Sequence, residues 1–323
     1  MNIVFLGTPE FALPSLEKLL NSRHTILAVV TQPDRPQGRG NKLTASPVKQ
    51  FAIKNGIKCL QYNKISREGV EELSALKPDI MITAAYGQIL SQAIINIPKY
   101  GIINVHGSVL PKYRGASPVQ TAVLNGDSET GVTIMQTDIG LDTGDIFAIQ
   151  KTYIDENETA GELMNRLAVL GADLLLTTLD QIESGESVKE KQTITDDEIT
   201  RKIKKEDCLI NWNKSAKQIK CLVLASNPDP IAKTILNGQQ INIYRARVTD
   251  LENDKFANPG TIIEPSSAKN GVFVQCGQGV LEILEAQFPG GKVLTGKQLF
   301  GGRKFGINMA FNPYTFPISV NKD

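Results

Sequence analysis

Short apolar runs alternate with helical patterns through the first half of the chain, and that rhythm limits the possible folds more than any other feature. Asn2–Leu6 reads as a buried strand closed by Gly7-Thr8-Pro9, and the spacing of Leu16, Leu19 and Leu20 predicts a helix after it. Further strands are expected at Ile26–Val30, Lys58–Leu60, Asp79–Ala84 and Gly101–Val105, with a helix at Glu68–Leu76. Strands alternating with helices give an α/β fold with a mostly parallel sheet. Ligands of such sheets sit outside the carboxyl ends of the strands, so the residues just after each strand are the candidates for function.

The texture changes later in the chain. After a long helical pattern near Ala160–Ile182, the segment Ser184–Glu206 is rich in Lys, Glu, Asp and Thr and reads as a linker. Short β-like runs then follow, among them Gln240–Tyr244, Gly271–Gln275 and Val280–Leu284, separated by Gly, Asn and Pro. They predict a small β-barrel or sandwich. The 323 residues are therefore expected to form a catalytic domain over 1–185, a linker over 186–206 and a β-barrel domain over 207–317.

Composition removes several functions. The two histidines, His24 and His106, exclude a three-His metal site, and Cys59, Cys208, Cys221 and Cys276 form no C-x-x-C pair, so no metal is expected. Scattered thiols suit a reducing compartment. The longest apolar runs, Ile26–Val30 and Cys221–Ala225, have five residues each, far fewer than a membrane span needs. The opening MNIVFLG has the pattern of neither a secretory signal nor a transit peptide. A cytoplasmic, monomeric protein without a membrane partner is the expectation. Net charge is +1, split into −3 for residues 1–206 and +4 for residues 207–323, a mild basic bias in the second part. His24, between a helix and a strand, is expected at the surface or in a capping role. Gly291–Lys297, GKVLTGK, approaches a phosphate-binding loop, but Gln298 stands where a Mg²⁺-binding hydroxyl is required.

The chemistry concentrates in Gly101–Gln120, GIINVHGSVLPKYRGASPVQ, where a strand ends in Asn-Val-His and opens into a Gly/Pro-rich loop. Residues two apart on a strand share a face, so Asn104 and His106 project together while Val105 points the other way. Thr137–Asp145, TDIGLDTGD, places two Gly and three Asp after the apolar run Val132–Met135. Such a loop can present one carboxylate to a neighbouring strand end, and Asp142 is the candidate. A carboxylate near His106 would favour the imidazolium, and an imidazolium beside an amide donor suits a developing oxyanion. This is equipment for acyl transfer without a covalent nucleophile.

The ordered motifs Asn-Val-His-Gly-Ser-x-Leu-Pro, Tyr-Arg-Gly-Ala, Gly-Val-Thr-Ile-Met-Gln and Asp-Thr-Gly-Asp together resemble the folate-dependent formyltransferase family. The resemblance runs from Val4-Phe5-Leu6-Gly7-Thr8-Pro9 into the C-terminal region. It implies a Rossmann-like N-terminal domain, a C-terminal barrel similar to an oligonucleotide-binding fold, and formyl transfer from 10-formyltetrahydrofolate to an amine. By motif match, Asn104, His106 and Asp142 take the catalytic positions, and Ser108, Val109, Leu110 and Pro111 take the folate-binding loop, with Val109 in place of a more usual leucine. Asp229, in Ala225–Thr234, stands where the family commonly has Trp; the only Trp is Trp212, in Ile210-Asn211-Trp212, which resembles the opening strand of the barrel.

The acceptor amine must be read elsewhere. Thr31–Lys49, TQPDRPQGRGNKLTASPVK, interrupts the α/β rhythm and carries Arg35, Arg39, Lys42 and Lys49 against Asp34. Long loops inside a compact domain are usually functional or disordered, and Arg and Lys suit phosphates and base edges. Its Pro-Asp-Arg-Pro-x-Gly-Arg-Gly pattern resembles the loop that family members acting on methionyl-initiator tRNA insert into the acceptor stem. The resemblance thus implies tRNA contacts for Arg35, Arg39 and Lys42. A member acting on an amino-sugar nucleotide is the alternative, and the basic loop argues against it.

Overall fold

The computed structural model describes residues 1–37, 42–194, 199–264, 271–302 and 304–312, with only the backbone of Gln37 and Lys42. The chain divides into two compact units. The first holds Met1–Pro118, Glu129–Tyr153 and Glu162–Arg201; the second holds Val119–Ser128, Ile154–Gly161 and Lys202–Asp323.

The first unit is built on a seven-stranded sheet, with strands β1 (Asn2–Gly7), β2 (Thr25–Thr31), β3 (Cys59–Gln61), β4 (Ile80–Ala84), β5 (Ile102–His106), β6 (Glu129–Gln136) and β7 (Ile146–Tyr153). Their spatial order is β7-β6-β5-β4-β1-β2-β3. The first five are parallel, and β6 and β7 add to that edge antiparallel. Ile3, Val4, Phe5 and Leu6 of β1 and the apolar residues of β4 are buried, as expected of strands covered on both faces. The chain runs outward from β1 to β3 and then returns to β4, so a topological switch lies between β1 and β4. There Thr8 Oγ1 donates to Tyr86 O at 3.1 Å, joining the loops that follow the two strands.

The helix Ala160–Ser184 covers one face of this sheet. Leu163, Leu167, Ala172, Leu175, Leu179 and Ile182 recur at helical spacing and are all buried. Gly171 permits the close approach: a Cβ there would stand 2.7 Å from Val105 Cγ1 and 3.0 Å from Val132 Cγ1. Val105 therefore faces the helix, and its neighbours Asn104 and His106 face the opposite side.

The expected helix at Glu68–Leu76 is broken at Gly69 into Ile65–Glu68 and Val70–Leu76. The described residues of the expected loop Thr31–Lys49 include two short strands and the start of a helix. Arg35–Gln37 pairs antiparallel with Lys42–Thr44, and Ser46 caps the helix Pro47–Lys54 by accepting from Lys49 N. The segment 186–206 is not a free linker. Glu190 and Ile146 exchange backbone hydrogen bonds, and Ile199–Thr200 pairs parallel with Arg114–Gly115. Polar side chains leave the backbone free to be recruited in this way, so composition alone could not reveal the tether.

Two stretches inside 1–185, Val119–Ser128 and Ile154–Gly161, cluster with the second unit. The amide of Gly161 donates to Asn227 O at 3.0 Å, and Lys220 pairs with Glu156 at 2.7 Å. The second unit's sheet has β8 (Ala232–Leu236), β9 (Gln239–Val248), β10 (Ile262–Ile263), β11 (Val272–Gln275), β12 (Val280–Gln287), β13 (Val293–Thr295) and β14 (Phe311–Asn312). The order is β10-β11-β12-β9-β8-β14, all antiparallel, with β13 alongside β12. A bridge between Thr261 and Ala310 brings the two ends together and nearly closes a barrel. The helix Ala216–Ala225 carries a Ser215–Gln218 capping box and adds Ile219 and Val223 to the barrel core.

Ile210-Asn211-Trp212 is not the barrel's opening strand. Only Leu209 bridges to Lys233, and Trp212 lies in a turn with its ring in the core, stacked on Phe311 at 5.1 Å. Asp229 is exposed, so its carboxylate brings no buried charge. In GKVLTGK, Thr295 caps the short helix Gly296–Gly301, and Gln298 is its capping-box partner, a structural explanation for the residue that spoils the phosphate-loop pattern. No helix among the described residues is long and apolar enough to cross a membrane.

Candidate active site

Asn104 and His106 occupy the carboxyl end of β5, where period-two geometry turns both side chains to one face. The Asn104 amide is fixed from β4, with Thr83 Oγ1 donating to its Oδ1 at 2.8 Å. Its Nδ2 has no hydrogen bond among the described residues, so a donor is held in place and left free. His106 is buried. Its Nε2 lies 3.0 Å from Tyr113 O, and its Nδ1 faces Asp142 Oδ2 at 3.7 Å. Both ring nitrogens thus face protein acceptors. Of the expected pair of donors, the Asn104 amide is the one left without a partner among the described residues.

Asp142 reaches His106 because the loop after β6 folds back on itself. Asp138 accepts from Gly140 N at 3.0 Å and from the Thr143 hydroxyl at 2.7 Å, which closes the turn that displays Asp142. Asp142 has a φ of 52°, a left-handed conformation that is costly for a side chain with a Cβ. Its Oδ2 accepts from Gly115 N at 2.8 Å, while Oδ1 has no partner among the described residues. Gly115, at a φ of 100°, is required here, because a Cβ would stand 2.4 Å from Thr200 O. Three donors that chain order does not connect complete the support: the Thr83 hydroxyl, Gly115 N, and the Gln192 side-chain amide, which donates to Asp142 O and Gly144 O.

The loop Ser108–Pro111 is pinned from β6 by Thr133. Its hydroxyl donates to Ser108 O at 2.7 Å and accepts from Leu110 N at 3.1 Å. Ser108 and Leu110 are buried; Ser108 Oγ donates to Lys112 O, and Leu110 packs with Met135 and Ile146. These two side chains shape the loop, while Val109 and Pro111 remain half-buried. Thr83 and Thr133 were not singled out in the sequence. The one available signal was a threonine inside an otherwise apolar buried run, as in Ile80–Ala84.

The basic segment divides. Lys49 is not a free cation: it pairs with Asp34 at 2.7 Å and donates to Gln61 at 2.8 Å. Hydrogen bonds from Lys49 and then Gln61 hold the Asp34 carboxyl below its usual range. Arg35 is exposed in the first strand of the hairpin, and Lys42 begins the second. Arg39 lies outside the described residues. Both the hairpin, which follows β2, and the Asn104 site, at the end of β5, belong to the carboxyl edge of the parallel strands.

Among the described residues, one group of metal-ligating types comes together: His24, Asp180 and Glu183. Arg23 pairs with both carboxylates, at 2.6 and 2.8 Å, so the group reads as an ion-pair cluster. His24 is buried within it, not at the surface as expected, and burial lowers its pKa.

Residues 1–179 match the family described as formyl transferase, and residues 202–304 match the formyl transferase C-terminal domain. A methionyl-tRNA formyltransferase of Acetivibrio thermocellus is 46% identical over 307 residues, spanning 95% of this chain and 98% of that one. Another, from Ruminiclostridium cellulolyticum, is 44% identical over 305 residues, spanning 94% and 97%. Among solved structures, WlaRD, a sugar 3N-formyl transferase crystallised in the presence of dTDP and 5-N-formyl-THF, matches with a TM-score of 0.66. At 22% identity, over 90% of this chain and 99% of that one, this is a likeness of fold. With relatives so similar over nearly its whole length, the chain belongs to the formyl transferase family.

Proposed function

We propose that this chain transfers the formyl group of 10-formyltetrahydrofolate to the α-amino group of methionyl-initiator tRNA, giving N-formylmethionyl-tRNA for translation initiation. The observation that carries the chemistry is the meeting of Asn104, His106 and Asp142 at one strand end, with an amide N–H and a carboxylate oxygen that have no partner among the described residues. The 44–46% identity to methionyl-tRNA formyltransferases supports the choice of acceptor.

The residues present fit a formylated folate. Val109 and Pro111 offer half-buried faces on a loop that Thr133 has already fixed, and Asn104 Nδ2 is an unpaired donor. The loop Ser108–Pro111 and Asn104 would hold the group, which when bound supplies an electrophilic formyl carbon and a nitrogen leaving group. Asn104 Nδ2 donates to the oxygen on which negative charge grows as the amine adds. Asp142 Oδ1, with Oδ2 anchored on Gly115 N, would take the proton that the attacking amine sheds and return it to the folate nitrogen as the formyl C–N bond breaks. His106, tied at Nε2 to the Tyr113 carbonyl, keeps Nδ1 turned toward Asp142 and so fixes the direction of that carboxylate.

The acceptor is read from the hairpin. Arg35, Arg39 and Lys42 are proposed to contact the acceptor stem, while Lys49 is spent on Asp34. The amino-sugar alternative rests on a likeness of fold at 22% identity and leaves the basic hairpin without a role. Arg39→Ala is expected to raise KM for charged tRNA about 10-fold or more, since a bidentate Arg contact is worth roughly 1–3 kcal/mol. KM for the folate donor should stay within twofold. Steady-state kinetics with each substrate varied in turn provide the check, and equal effects on both would refute the assignment.

A further inference from the structure

We propose that Gln192, from the segment that composition marks as a linker, is a positioning residue for Asp142. This rests on the formyl-transfer reading above and adds to it a residue outside the motifs that carry that reading. Gln192 Nε2 donates to Asp142 O at 3.0 Å and to Gly144 O at 2.7 Å, so one amide grips the backbone on both sides of Thr143. The bonds made by Asp138 secure Gly140 and Thr143 from within the loop. Gln192 is the side chain that holds the left-handed Asp142 from outside it.

The grip is delivered from an anchored backbone. Two residues earlier, Glu190 N donates to Ile146 O at 2.9 Å and Ile146 N donates to Glu190 O at 2.8 Å. Lys189 Nζ donates to Gln136 Oε1 at 2.9 Å, so both ends of the Asp142 loop, Gln136 and Ile146, touch the same segment. Further along, Thr200 Oγ1 donates to Arg114 O at 2.9 Å, and Ala116 N donates to Thr200 O at 3.1 Å. Those bonds fix the turn whose Gly115 N–H holds the Asp142 carboxylate. The segment therefore sets Asp142 at two points, its backbone through the Gln192 side-chain amide and its carboxylate through the Gly115 N–H.

Gln192 Oε1 is buried without a partner among the described residues. A buried acceptor left unmade is unfavourable, so the value of this amide lies in its two N–H donors. Methionine at this position keeps the length and removes both donors. Lysine keeps a donor at similar reach.

The experiment measures kcat and both KM values for wild type, Gln192→Met, Gln192→Lys, Asp142→Asn and the double variant Asp142→Asn with Gln192→Met. Thermal melting of each is followed alongside. Displacement of a catalytic group by a fraction of an ångström to 1 Å lowers turnover by up to about 100-fold, so Gln192→Met is expected to lose about 10- to 100-fold in kcat. Both KM values should stay within about twofold of wild type, and Gln192→Lys should recover most of the rate. Because Gln192 acts through Asp142, the double variant should be no slower than Asp142→Asn alone. Losses that multiply in the double variant, or an unchanged kcat in Gln192→Met, overturn the inference while the functional reading stands. A wild-type protein that does not formylate charged tRNA overturns that reading and this inference together.

Discussion

Asn104→Ala lowers kcat by about 10²–10³, the usual consequence of deleting one donor to a developing oxyanion. The size of the loss follows from the geometry. Asn104 Nδ2 has no partner among the described residues, and the ring nitrogens of His106 already face Tyr113 O and Asp142, so His106 does not replace it. Binding should change far less than turnover, because the interaction strengthens as charge develops. The fold should survive, since the amide makes a single hydrogen bond, to Thr83, and stands at the rim of the sheet. Rapid-quench measurement of a single turnover separates the chemical step from binding. A variant that transfers formyl at the wild-type rate would remove Asn104 from the mechanism.

The largest expected effect on stability is at Trp212. Its ring stacks on Phe311, which in turn meets Phe305 edge-on at 5.6 Å, and its Nε1 donates to the fully buried hydroxyl of Thr234 at 2.9 Å. Trp212→Ala empties that position and leaves Thr234 without its donor, so a loss of about 3–5 kcal/mol is expected. Trp212 is the sole tryptophan, which makes its fluorescence a probe of wild-type unfolding and leaves the variant without one. Hydrogen exchange of β9 and β12 supplies a common readout. Their amides should exchange far faster in the variant, while those of β1 and β4 keep wild-type protection. Unchanged protection in β9 and β12 would show that the barrel core tolerates the cavity.

What could be read from the sequence follows from how each element is buried. Strands covered on both faces must be apolar at nearly every position, so β1, β2, β4 and β5 announce themselves as runs. The edge strand β7 is exposed over much of its length and carries no such run, and it went unread. Arg35–Gln37 and Lys42–Thr44 pair through a backbone whose side chains look like loop, and the tethers at Glu190 and Thr200 are likewise backbone bonds, to which composition is blind. At the site, Asn104 and His106 were legible because a two-residue period decides which side chains share a face. The same period turns Val105 the opposite way, but the helix it meets at Gly171 lies 66 residues further along the chain, beyond a pattern read over a window of about 11–18 residues. Thr83 and Gln192 act on partners 21 and 50 residues away; Thr83 is marked locally only as a hydroxyl in an apolar run, and Gln192 is not marked at all. Trp212 shows the converse error: a motif placed it on a strand, and the structure puts it in a turn whose ring fills the barrel.

The central claim is the transfer of a formyl group to charged initiator tRNA, and it is tested most directly by supplying the purified protein with 10-formyltetrahydrofolate and methionyl-initiator tRNA. The account predicts N-formylmethionine on the tRNA, formed only when the tRNA is charged. Absence of that product while the formylated folate still binds would contradict it, and would make amino-sugar nucleotides the next acceptors to test.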